Sequence, residues 1–172
     1  MIWINMFFNV LLSTSALIGY FSKFPLIYTK FIKYASVCYF VEDSLMEIGL
    51  YKRYIYLPHH IIALIAIVSV WKNCPIYDSL LMFFFAESSA FITNIRGVLK
   101  KHGTLSIKYD KVFFMYYICA RNIAMPIIIY RCSDYTIIYY SGCLVQLMNL
   151  YWTYMWGKSI IKYQNKSYIT NI

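Results

Sequence analysis

The stretch Ile76-Tyr77-Asp78-Ser79-Leu80-Leu81-Met82-Phe83-Phe84-Phe85-Ala86-Glu87-Ser88-Ser89-Ala90-Phe91-Ile92-Thr93-Asn94-Ile95-Arg96-Gly97-Val98-Leu99 is apolar over most of its length. It is long enough to cross a bilayer, which takes about 20 predominantly apolar residues in a helix. Glu87 stands in the middle of the run, and Asn94 follows two helical turns later on the same face. An ionisable side chain at that depth costs a few kcal/mol or more and normally faces a bundle interior, a partner or water. The stretch therefore reads as a spanning helix with a polar stripe turned inward.

Outward from it, the chain divides into further apolar segments at 2–20, 31–51, 58–71, 111–130 and 136–156, with 76–99 as the fourth of six. Hydrophobic residues make up 61% of the 172 and charged residues only 13%, about half the charged share of a soluble domain. The expected fold is all-α: one integral membrane domain over residues 1–172, a bundle of about six transmembrane helices with no room for a catalytic domain outside the bilayer. The third segment is the shortest. It either extends back through Tyr54-Ile55-Tyr56-Leu57 or is re-entrant, which would leave five spans. Pro25 separates the first and second segments, Pro58 and Pro75 mark helix beginnings, where a missing N–H is tolerated, and Pro126 falls inside the fifth segment and predicts a kink. The first segment lacks a basic n-region and an A-x-A cleavage site, and reads as a retained helix.

The excess of 16 Lys and Arg over 7 acids is best explained by topology. The cations sit singly or in pairs between apolar runs, where they meet lipid headgroups, and no nucleic-acid motif accompanies them. With six crossings, Lys52, Arg53, Lys100, Lys101, Lys108, Lys158, Lys162 and Lys166 share the side of the termini. Lys23, Lys30, Lys33, Lys72 and Arg131 take the other. The bias predicts cytosolic termini and an unglycosylated Asn165-Lys166-Ser167 sequon. The five cysteines, Cys38, Cys74, Cys119, Cys132 and Cys143, are odd in number and show neither CxxC nor zinc-ligand spacing, which predicts no disulfide framework, no metal site and no cofactor.

Five of the six segments carry costly polar residues: Glu42, Asp43 and Glu47 in the second, His59-His60 opening the third, Glu87 and Asn94 in the fourth, Arg121 and Asn122 in the fifth, Gln146 and Asn149 in the sixth. The connection between the second and third segments is short, which brings Glu47 towards His59 and His60. Two explanations compete. In the first, the polar groups are an internal network that glues helices together, with Arg121 neutralised by Glu87 or Asp43. In the second, they line a chamber for an amphipathic ligand, where an imidazole of His59 or His60 acts as base or nucleophile and Asp43 orients it. Glu47, Glu87, Asn94, Arg121, Asn122, Gln146 and Asn149 would line that chamber, and a membrane lipid fits a polar lining with aromatic walls better than a soluble metabolite does.

Four stretches taken in order, Phe40-Val41-Glu42-Asp43-Ser44-Leu45, Leu57-Pro58-His59-His60-Ile61-Ile62-Ala63-Leu64, Glu87-Ser88-Ser89-Ala90-Phe91-Ile92-Thr93-Asn94-Ile95-Arg96 and Leu147-Met148-Asn149-Leu150-Tyr151-Trp152, resemble the TLC family of TRAM, Lag1-type and ceroid-lipofuscinosis membrane proteins. The match is clearest over 34–162. The resemblance implies a helical, barrel-like bundle in the endoplasmic reticulum or another intracellular membrane, with an internal lipid-sized cavity and acyl chains or sphingolipids as partners. Family members that make ceramide carry a His-Asp motif with a second Asp one turn on. The nearest stretch here, Tyr77-Asp78-Ser79-Leu80-Leu81, lacks the histidine and the second acid. The chain is therefore similar to the smaller TLC proteins that sense, transport or regulate membrane lipids. A ceramide-synthase-like acyltransferase using His59 or His60, and a structural or translocation-associated protein, are the alternatives.

Overall fold

The computed structural model describes residues 2–49, 57–132 and 136–169, and side chains at 3–45, 60–70, 74–132 and 136–162. It is all-helical over the described residues: α1 (Ile2–Phe21), α2 (Pro25–Gly49), α3 (Leu57–Asn73), α4 (Ile76–Lys101), α5 (Ile107–Tyr117), a π-helical segment (Ile118–Ala124), α6 (Met125–Arg131) and α7 (Thr136–Ile169). α5, the π segment and α6 run on as one rod, so the described residues form six rods.

The rods close into a ring. α1 packs against α2, α2 against α3, α3 against α7, α7 against the fifth rod, the fifth rod against α4, and α4 back against α1. One end of the ring holds the α1–α2 and α3–α4 connections and the end of α6; the other holds the start of α5 and the last part of α7. Close approach needs small residues, because packing without a hydrophobic drive rests on contact. A Cβ on Gly19 would stand 2.6 Å from Cβ of Tyr28, and one on Gly142 would stand 2.6 Å from Cγ2 of Ile129.

The outer face differs from that of a soluble bundle, since large apolar side chains are exposed along the helices while several polar ones are buried. On α1, Asn9 and Ser13 are buried beside Leu12 and Ala16, while Trp3, Phe7 and Ile18 are exposed. Apolar rings facing out and amides facing in are stable only where the surroundings are hydrocarbon. Three rods are long and apolar enough to cross a membrane: Trp3–Phe21, Ile76–Lys101 and Ile107–Arg131. The chain is a membrane protein on this ground. α3, with 17 residues, spans about 26 Å at 1.5 Å per residue, short of the roughly 30 Å hydrocarbon core. Tyr54, Ile55 and Tyr56, through which the sequence offered an extension, lie outside the described residues.

Helices run past their apolar cores at several places, among them the start of the fifth rod at Ile107 instead of 111. α2 starts at Pro25 instead of 31, because proline is preorganised for a first helical position, and α7 continues beyond Trp156. The kink expected at Pro126 takes the form of the π segment just before it. There the backbone N–H of Met125 bonds to the carbonyl of Ala120, and widening the turn accommodates a proline that can neither donate nor tolerate the usual carbonyl behind it.

The cysteines correct the sequence expectation. Cys74 and Cys132 form a disulfide across 58 residues, with Cα atoms 5.6 Å apart. It ties the start of the fourth rod to the end of the fifth. Beside it, the exposed Arg131 pairs with buried Asp78 at 3.1 Å.

Candidate functional site

α2 and α3 meet at an acid and an imidazole. Nε2 of His60 lies 3.2 Å from Oδ2 of Asp43, and Nδ1 lies 3.1 Å from Oγ of Ser44. Ser44 Oγ is also 2.6 Å from the carbonyl of Phe40, the ring of which packs edge-on against the imidazole at 5.8 Å. A hydroxyl has one proton. If Ser44 turns it to the ring, Nδ1 accepts it and Nε2 donates to Asp43, which engages both ring nitrogens; if Ser44 gives it to Phe40, Nδ1 donates to Ser44 and a ring with one N–H turns a lone pair on Nε2 towards the Asp43 carboxylate, which cannot donate.

Asp43 and His60 stand at one part of a cavity of about 180 Å³ that also touches Asn9, Tyr39, Phe40, Ala63, Phe83, Ala86, Glu87, Arg121, Met125 and Val145. Glu87, on the middle of α4, accepts a hydrogen bond from Nδ2 of Asn9 at 2.6 Å, and Asn9 Oδ1 accepts one from Nδ2 of Asn94 at 2.9 Å. Four residues above, Asn5 Nδ2 reaches Oδ1 of Asp43 at 3.5 Å. α1 thus sends an amide, one turn apart, to each of two carboxylates on different helices.

Arg121 reaches the cavity from the π segment. Its Nε donates to Oγ of Ser89 at 2.6 Å and its Nη2 to the carbonyl of Ala86 at 2.7 Å. The expected neutralisation by Glu87 or Asp43 does not occur as a direct contact: Arg121 makes no ion pair among the described residues. Its charge is held by a helix carbonyl and a hydroxyl, a substitute for water when a wide turn aims the guanidinium at a neighbouring helix.

Of the residues singled out in the sequence, His60, Asp43, Glu87 and Arg121 line one cavity. Asn94 sits behind it, through Asn9. Asn122 and Gln146 belong to a separate network, with Asn122 Nδ2 donating to Thr153 at 2.7 Å and Gln146 Nε2 to Asn122 Oδ1 at 3.1 Å. Asn149 is buried on α7, one turn from the cavity-lining Val145, and its Nδ2 makes no hydrogen bond among the described residues. The side chains of Glu47 and His59 lie outside the described residues. Asn5, Asn9, Ser44 and Ser89 were missed by sequence reasoning; the signal for the first two was a pair of amides four apart in an otherwise apolar helix.

Lined by apolar and aromatic groups with a few converging polar ones, the cavity has the makings of a ligand site, but it is below the roughly 300–1,000 Å³ of sites that enclose a drug-sized molecule. It takes a segment of an acyl chain or one polar group, and falls short of the lipid-sized chamber that the resemblance implied. The chain matches no family model, no curated protein and no solved structure.

Proposed function

We propose that this chain is a multi-pass, TLC-type membrane protein that binds part of a membrane lipid in the cavity between its helices and so senses or regulates lipid composition. One observation carries the choice over an acyltransferase: both nitrogens of His60 face polar atoms of the protein, Oδ2 of Asp43 and Oγ of Ser44. A general base or nucleophile needs one ring nitrogen open to the substrate. Asp43, His60 and Ser44 stand in the order of a hydrolytic triad. Ser44, however, does not line the cavity and bonds back to its own helix, a common habit of serine in helices. The arrangement supports a binding role for the imidazole.

Support for the TLC-type reading lies in the ordered motifs themselves and in the 3.2 Å approach of Asp43 to His60, two residues taken from separate motifs. A ring of six rods, three of them clearly able to span, fits six crossings if α2, α3 and α7 cross beside them. The disulfide supports cytosolic termini, because disulfides persist in oxidising compartments and Cys74–Cys132 lies at the end opposite Lys100, Lys101 and Lys158. An intracellular membrane such as the endoplasmic reticulum is part of the same proposal.

Organic extraction of the purified protein followed by mass spectrometry tests the function. A non-covalent lipid at close to one per chain is expected. A covalent acyl adduct on His59 or His60 would replace this reading by the acyltransferase, and no co-purifying lipid would favour a structural or translocation-associated role. Protease protection of a C-terminal tag in sealed microsomes would show the orientation to be wrong.

A further inference from the structure

A second cavity, of about 310 Å³, opens at the end of the ring where α4 gives way to α5. Its walls are Arg96 and Lys100 from the last turns of α4, Gly103, Leu105 and Ile107 from the connection and the start of α5, Asp110, and Ser159 and Lys162 from α7. Three cations therefore face one carboxylate.

The carboxylate is already answered. Arg96 Nε donates to Asp110 Oδ1 at 2.6 Å and Nη2 to Oδ2 at 3.1 Å, and Trp156 Nε1 donates to Oδ1 at 2.7 Å. The Arg96 guanidinium lies 4.5 Å from the Trp156 ring centre, and its Nη2 reaches Ser159 Oγ at 3.3 Å. These contacts hold a guanidinium in place at a side-chain exposure of 14% while leaving its Nη1 without a hydrogen bond among the described residues. Lys100 and Lys162 make no ion pair among the described residues either. A fixed guanidinium edge and two lysines around a concave space make a site for an anion with several oxygens.

We propose that this cavity binds a phosphate group, carried by the headgroup of an anionic membrane lipid or by a soluble phosphate. Its volume, near the lower limit for small-molecule sites, suits a headgroup, and basic pockets between membrane helices bind such groups by the same chemistry. Only the lipid source rests on the reading of the chain as a membrane-spanning protein. The site is separate from the Asp43–His60 cavity, so lipid extraction and the binding test below fail independently.

The test uses the full chain in a neutral detergent, with dioleoylphosphatidic acid and inorganic phosphate as two probes, read by native mass spectrometry and by titration. Lys100→Gln combined with Lys162→Gln removes two pocket cations that are exposed and make no ion pair among the described residues, so the fold is retained; circular dichroism checks this. Lys101→Gln combined with Lys158→Gln is the charge-matched control, at exposed lysines outside the cavity. Phosphatidic acid is expected to bind the wild type and to weaken about tenfold or more in the pocket variant, with less than about a twofold change in the control. Inorganic phosphate binding with the same sensitivity, while phosphatidic acid shows none, would assign the site to a soluble source. Equal losses in both double variants would reduce the effect to diffuse attraction and overturn the proposal, as would failure of both probes to bind the wild type.

Discussion

Nδ2 of Asn9 donates a 2.6 Å hydrogen bond to Oε2 of Glu87 across 78 residues of sequence. Both residues are buried, at 2% and 5% exposure, so this bond couples the packing of α1 onto α4 to the wall of the cavity. Asn9→Leu removes the donor and leaves a buried carboxyl group without it, at a cost of about 1–3 kcal/mol. Adding Glu87→Gln to that variant should recover part of the loss, because an amide is cheaper to leave poorly paired than an acid. Thermal unfolding in detergent for the two single variants and the double variant measures the coupling; strictly additive losses would show that the bond does not act as a unit.

Asp43 separates a binding role from a purely structural one. Asp43→Asn keeps the shape and removes the charge opposite His60. The fold should survive while bound-lipid content falls. If lipid content and melting temperature both stay at wild-type values, Asp43 does not belong to the site. In parallel, a fluorophosphonate probe should leave Ser44 unlabelled, since its hydroxyl lies between the Phe40 carbonyl and His60 and does not line the cavity; labelling abolished by Ser44→Ala would revive a hydrolytic reading.

The disulfide is checked by counting thiols. Cys38, Cys119 and Cys143 are free and exposed, so three should react with a maleimide reagent in denatured, unreduced protein, and all five after reduction. Five reactive thiols without reductant would show that the bridge does not form. Replacing Cys74 and Cys132 together by serine is expected to cost about 2–4 kcal/mol, a range set by loop closure in the unfolded chain.

The cluster around Asp110 ranks its own members. Asp110→Asn leaves Arg96 partly buried without its partner and should cost about 3 kcal/mol or more. Trp156→Phe removes a single N–H to a charged acceptor and should cost about 2 kcal/mol. A melting temperature that falls further for Trp156→Phe than for Asp110→Asn would contradict this account.

The membrane class and the six-rod count were legible because both rest on long apolar runs and prolines, which are local signals. Helix ends were not. Thr29 and Lys30 looked like loop, but a polar residue on a rod that emerges from hydrocarbon can stay helical in the headgroup zone, and α7 does the same past Trp156. Within the site, Asp43 and His60 were legible, since charge in an apolar helix demands a partner. Asn9 was not, because one amide in an apolar run has many equivalent fates until the packing of α1 onto α4 is known. Arg121 was assigned the wrong kind of partner for a similar reason: Coulomb attraction favours an acid, while the wide turn aims its guanidinium at Ser89 and the Ala86 carbonyl. The Cys74–Cys132 pairing left no trace in spacing, since a sequence separation of 58 takes in two whole rods.

The π segment has a consequence for how this chain can change. Tyr117, Arg121, Met125 and Ile129 recur every four residues, and at about 100° per residue each such step overshoots a full α-helical turn by about 40°. Over an unbroken α-helix the four would smear across about a third of the circumference. The wide turn at Ile118–Ala124 absorbs much of this drift, and Tyr117, Met125 and Ile129 are all buried while Arg121 still lines the cavity. Deleting one residue there, such as the exposed Ile123, would remove the extra residue that the wide turn takes up and leave an even helix with its two halves close to their present phase. Deleting one from the regular turns of α6 would instead turn everything after it by about 100° relative to everything before, so that Arg121 keeps its cavity or Cys132 its bond to Cys74, but not both. The wide turn is where this rod can lose a residue, and the α-helical stretch beyond it is where length sets the angular phase between the chamber and the disulfide.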